Sequence, residues 1–139
     1  DNFAATTPRL VNVSASTQVG TGDNILIAGF AVSGTTAVRV LIRAVGPTLG
    51  AAPFNVGGTL ADPKLEIYSG STKTLENDNW AGTAELKAAF SAVAAFAFSA
   101  DTSRDAALVA TLQPGSYTAQ ISGVGSTSGV ALVEIYELR

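Results

Sequence analysis

The feature that most constrains this chain is its rhythm. Short apolar and β-branched runs recur along nearly its whole length, each cut off by Gly, Ser, Thr, Asp or Pro. Residues 9–15 (RLVNVSA) put Val11, Val13 and Ala15 on one face. Residues 24–32 (NILIAGFAV) are apolar on both faces, which predicts a central strand. In residues 37–45, Val38, Val40 and Ile42 oppose Arg39, Leu41 and Arg43. Residues 64–68 point Leu65 and Ile67 inward and Lys64, Glu66 and Tyr68 outward, and residues 72–76 read as a short return strand. Three further strands are predicted at 105–112, 116–124 and 129–138. Between the first two, Gln113-Pro114-Gly115 is a turn, because Pro114 presets φ and Gly115 permits positive φ.

Only one stretch changes period. Residues 83–94 read as a helix, with Thr83 as N-cap and Leu86, Phe90 and Val93 on one stripe. About eight strands with one short helical insertion around 83–94 predict an all-β fold, a β-sandwich or jelly roll. Strands do not alternate with helices, so a doubly wound α/β fold is disfavoured. The region 46–61, with Pro47 and Pro53 among glycines, reads as a long crossing loop rather than a linker. Residues 1–139 are therefore expected to form a single β-sandwich domain.

Composition narrows the function. The chain has no Met, Cys or His, and only 14% of its residues are charged, against about 25% in an ordinary globular protein. Lacking His and Cys, it lacks the usual general base, the thiol nucleophile and the best transition-metal ligands. Lacking Cys, it must hold itself together by its core, by ions or by neighbours. A net charge of −3 without a basic patch argues against a nucleic-acid partner. No run approaches the roughly 18 apolar residues of a membrane span. The missing Met leads to the expectation that a segment before Asp1, most commonly a secretory leader, was removed. The expected location is extracellular or at the cell surface.

Residues 105–123 (DAALVATLQPGSYTAQISG) resemble the end of bacterial pre-peptidase C-terminal domains, secreted β-sandwich modules in which a strand, a Pro-Gly turn and a Gly-x-Tyr-Thr strand recur. Residues 40–49 (VLIRAVGPTL), 60–68 (LADPKLEIY) and 77–80 (NDNW) resemble an uncharacterised module of exported, Verrucomicrobia-like bacterial proteins. The resemblance spans most of the chain. It implies location and fold, and carries over no catalytic residue.

Candidate chemistry is sparse. No Ser-x-x-Lys or Gly-x-Ser-x-Gly motif occurs, so nucleophilic catalysis has no base to drive it. Asp62, Glu66, Asp78, Asp101 and Asp105 are the available carboxylates, and structural readings are favoured: Asp62 precedes Pro63 in a turn, Asp101 begins a turn and Glu66 lies on a solvent face. Calcium is the one plausible cofactor: Asn77, Asp78 and Asn79, with Asp101 or Asp105, offer hard oxygen ligands. The spacing is not that of an EF-hand, and the favoured reading is an Asx-turn feeding a buried Trp80. Gly20 and Gly22 precede a strand, so they form a turn and not a phosphate cradle. Tyr68, Trp80, Tyr117 and Tyr136 are the aromatic candidates for a sugar platform, although a lone Trp usually belongs to the core. Arg39 and Arg43 are expected to pair with carboxylates such as Glu134 or Glu137.

These observations lead to the expectation of a non-enzymatic, extracellular structural protein. It would self-assemble as a homopolymer, a filament or surface array joined by β-strand complementation. The expected donor arm is residues 1–16, with Phe3, Leu10, Val11, Val13 and Ala15 at the subunit interface. The alternative is a carbohydrate-binding or adhesive module of a larger secreted protein, with a glycan as partner.

Overall fold

The computed structural model describes residues 9–138. Its strands are β1 (Val13–Val19), β2 (Leu26–Val32), β3 (Val38–Val45), β4 (Pro63–Ser69), β5 (Thr72–Asn77), β6 (Ala106–Leu112), β7 (Gly115–Gly123) and β8 (Gly129–Leu138). A single helical turn, α1 (Pro47–Gly50), follows β3, and a helix, α2 (Ala84–Ala92), follows β5. The strands form two four-stranded sheets, β1-β8-β3-β6 and β2-β7-β4-β5, antiparallel at every pairing. The all-β sandwich with one short helix is the architecture the strand rhythm predicts.

One core fills the space between the sheets: Val40, Ile42, Leu65, Ile67, Ile121, Val133 and Ile135 are all fully buried there. A second lies on the outer face of the β1-β8-β3-β6 sheet, where Leu41, Val45, Trp80, Leu86, Phe90, Phe98 and Leu138 pack together. It exists because α2 turns Leu86, Ala89 and Phe90 onto that face. Thr83 caps α2 by accepting a hydrogen bond from the Leu86 amide at 3.3 Å, as its sequence position predicts. The molecule is thus a sandwich with a helical cap on one sheet. β3, covered on both sides, is buried at every position except Arg39.

Two expectations need correction. The centre of its sheet belongs to β7 and β4, while β2 is an edge strand with Ile27 54% exposed. Small residues explain the error: Gly29 and Ala31 make the outer face of β2 apolar without needing cover. The first strand also starts later than predicted, at Val13. Ahead of it, Leu10 is buried in the inter-sheet core, and the Arg9 side chain donates to the backbone oxygens of Ser33 and Thr36. The segment 9–16 of the expected donor arm therefore completes its own sheet, with β1 paired to β8 from Val13↔Ile135 to Val19↔Gly129. Leu10 and Val13 serve their own core, while Val11 and Ala15 are exposed. Phe3 and the rest of residues 1–8 lie outside the described residues.

Candidate functional site

Among the described residues, function can reside in three polar clusters or at the strand edges. The most buried cluster centres on Arg43. β3 directs its side chain into the second core, where it is fully buried. Its Nε donates to Oε1 of Glu134 at 2.9 Å, Nη2 lies 2.7 Å from the same oxygen, and Nη1 donates to the Phe96 carbonyl at 2.6 Å. The guanidinium carbon sits 4.5, 4.3 and 4.6 Å from the ring centres of Phe90, Phe96 and Phe98. Three aromatic faces and one carboxylate thus replace the water this cation gave up. Burial lowers the Arg43 pKa, and Glu134 opposes that shift. Tyr136 donates to the other oxygen of Glu134 at 2.8 Å. Burial, and next that hydrogen bond, push its phenol up to about 12. With its donors turned inward, the cluster clamps the 93–98 segment to the sheet.

The Arg43–Glu134 pairing is one of those the sequence suggested, and Arg43 and Glu134 face each other across β3 and β8. The aromatic cage was missed. Phe90, Phe96 and Phe98 read as helix stripe and loop, and only the return of residues 93–98 over the sheet gathers them.

The second cluster is Asp105, also fully buried. Its Oδ1 accepts from the amides of Gly46 and Thr48 at 2.8 and 3.2 Å. Oδ2 accepts from the hydroxyls of Thr48 and Ser103 at 2.5 and 2.7 Å. Asp105 therefore ties the β3–α1 corner to the start of β6. Gly46 is required at that corner, since a Cβ there would stand 2.2 Å from the Leu60 carbonyl oxygen.

The third cluster is Asp62 with Asp78. The Oδ1 atoms of both are buried and receive no donor from any other described residue. Burial first, and then a hydrogen bond with Asp78, raise the Asp62 pKa, against a smaller opposing effect of Arg104 at 3.7 Å. A carboxyl held above its ordinary pKa stabilises the fold below the unfolded pKa, and that contribution disappears as pH rises through the folded value. At neutral pH the pair is a liability. Asp78→Asn, whose amide can donate to Asp62, should raise the melting temperature by a few degrees at pH 7 and not at pH 3. Calorimetry at both pH values checks this, and an equal gain at both would contradict it.

The expected calcium ligands do not converge. Asn77 Oδ1 accepts from the Ala107 amide at 3.1 Å rather than from the Asn79 amide of the expected Asx-turn, and its side-chain amide donates to the Asn79 carbonyl at 3.2 Å, just ahead of buried Trp80. Asp101 pairs with Lys87 at 3.0 Å, and Asp105 is committed to α1. Among the described residues no group of three acidic side chains is placed to hold a metal ion. The aromatic candidates are similarly dispersed. Trp80 stacks on Phe90 and donates to Ala100 and Ser103, while Tyr68, Tyr117 and Tyr136 are each half-buried.

The sandwich edges remain. β1 and β2 lie side by side along one flank, β5 and β6 along the other. The β5/β6 flank is protected. Lys73 bonds Glu76 and Glu66 at 2.5 and 3.3 Å on β5, a bulge breaks the β4–β5 register at Ile67/Tyr68, and α2 leans on β6. The β1/β2 flank carries no charge and no proline in either strand.

No family model matches the sequence, and no curated protein matches it. Among solved structures, the chain is similar to the pre-peptidase C-terminal domain of a collagenase from Bacillus anthracis. The superposition gives a TM-score of 0.52 at 11% identity, covering 91% of this chain and 90% of that one. The two share a fold. At that identity the likeness concerns the β-sandwich alone. Residues 105–123, which carried the sequence resemblance to such domains, form β6, the turn and β7. Among the described residues no helix is long and apolar enough to cross a membrane.

Proposed function

We propose that this protein is a non-catalytic, extracellular structural subunit that assembles with copies of itself through strand pairing on its β1/β2 flank. The observation that carries this reading is the asymmetry of the edges. Soluble β-proteins blunt exposed edges with charge, proline, bulges or cover, because unpaired backbone groups recruit other strands. Among the described residues, three of those devices protect β5/β6, while strands β1 and β2 carry neither charge nor proline. The low charge supports the same reading, since a dispersed monomer needs more repulsion than 14% charged residues supply. The extracellular location is supported by the resemblance to modules of exported bacterial proteins. A glycan-binding module has less support: among the described aromatic residues only Phe54 is exposed, at 40%, which makes no stacking platform.

Negative-stain electron microscopy with size-exclusion chromatography at neutral pH tests the proposal. Regular fibres or arrays are expected. Ile27→Lys with Ala31→Lys, both at exposed positions, should retain the fold and lose the polymers. A clean monomer would refute self-assembly, and fibres undiminished in that variant would refute pairing at the β2 edge.

A further inference from the structure

β1 is held in an unusual way. Five consecutive residues, Ser14 to Gln18, are exposed, and only Val19 at its end is buried. An edge strand exposed on both faces over most of its length contributes little side-chain burial of its own. Its seat on β8 is the reverse: Ala131, Val133 and Ile135, the register partners of Thr17, Ala15 and Val13, are all fully buried. The seat needs a strand over it, and the strand itself is held chiefly by its backbone ladder.

We infer that β1, with the residues 9–12 that lead into it, exchanges between copies, so that β1 of one chain occupies the β8 edge of another in the same antiparallel register. The inference rests on the self-assembly reading and gives it a joint at the β8 edge, distinct from pairing at the β2 edge. Exchange preserves the described native contacts of residues 9–19, because their partners lie beyond the hinge. Arg9 meets Ser33, Thr36 and Glu137, Leu10 enters the inter-sheet core, and β1 meets β8. A swap of identical elements therefore costs little beyond association entropy. Residues 20–24 are the hinge. The Gly20 amide donates to the Asn24 carbonyl at 2.7 Å, the Asn24 amide donates back to Thr21 at 3.1 Å, and Gly22 has a φ of +62°. Opening these two hydrogen bonds lets β1 extend away from β2. Reciprocal exchange closes a dimer, while exchange passed from one copy to the next runs on as a filament.

The absence of cysteine makes the test clean. Ser16 and Leu132 are register partners on β1 and β8. Chains carrying only Ser16→Cys are mixed with chains carrying only Leu132→Cys and oxidised gently. Directly opposed strand residues lie close enough for a disulfide, whereas unexchanged chains meet only by collision. The background is measured with Ser16→Cys against Thr72→Cys on the protected flank. A mixed Ser16–Leu132 disulfide is expected to exceed that background by on the order of tenfold, because strand pairing raises the effective thiol concentration. The double variant Ser16→Cys/Leu132→Cys, oxidised as a dilute monomer, locks β1 at home and should lose assembly until reduced. Mixed disulfides at the background level, or a locked variant that still polymerises, would overturn the exchange while leaving self-assembly standing. Above-background mixed disulfides between the two cysteine variants, with the unsubstituted protein forming only dimers, would uphold the exchange and remove the filament.

Discussion

Glu134→Ala is expected to destabilise the fold by about 3–5 kcal/mol, because it strands the Arg43 cation in a site without water. Nε and Nη2 both turn to Oε1 of Glu134, and the other donor shown, Nη1, is committed to Phe96. The three phenyl faces soften the loss but cannot replace a full negative charge. The double variant Arg43→Met/Glu134→Leu should recover most of it, since a well-packed apolar replacement of a buried ion pair is often neutral or stabilising. Urea unfolding of wild type, single and double variants checks both statements. A single variant as stable as wild type would show that water reaches Arg43. A double variant no better than the single would show that the cage depends on the cation itself.

Asp105→Ala should cost about 2–5 kcal/mol, from the two buried backbone amides of Gly46 and Thr48 that lose their acceptor. Asp105→Asn separates hydrogen bonding from volume. Its carbonyl oxygen can still take both amides, while the partner facing the Thr48 and Ser103 hydroxyls becomes a donor. An intermediate loss is expected from the same urea measurement. Equal losses in Ala and Asn would mean that the carboxylate charge matters more than the amide bonds. A loss below 1 kcal/mol in Ala would mean that the β3–α1 corner holds without its acceptor.

Both predictions fall on residues that the sequence showed only in outline. Alternation in residues 64–68 placed Leu65 and Ile67 in the core, and the structure buries both. Thr83 ahead of an apolar stripe located α2 and its cap, and the run at 129–138 is β8 from end to end. These features were legible because strand period, helix period and capping depend on neighbours a few residues apart. In the sequence Asp105 is only a carboxylate at the start of a strand, because its partners at Gly46 and Thr48 are more than fifty residues away. The Arg43 cage was hidden for the same reason, as nothing local predicts that residues 90–98 fold back across β3.

The order of strands in a sheet is likewise non-local. An apolar run with small residues on one face satisfies a central position and an edge position equally well, so the sequence of β2 does not decide between them. Local pattern therefore determined the class of fold, the elements and most of their inward faces. Tertiary structure alone decided which strands became edges, which flank was left unprotected, and which buried charges found partners. Those outcomes depend on what packs against each element, and chain period carries no record of that.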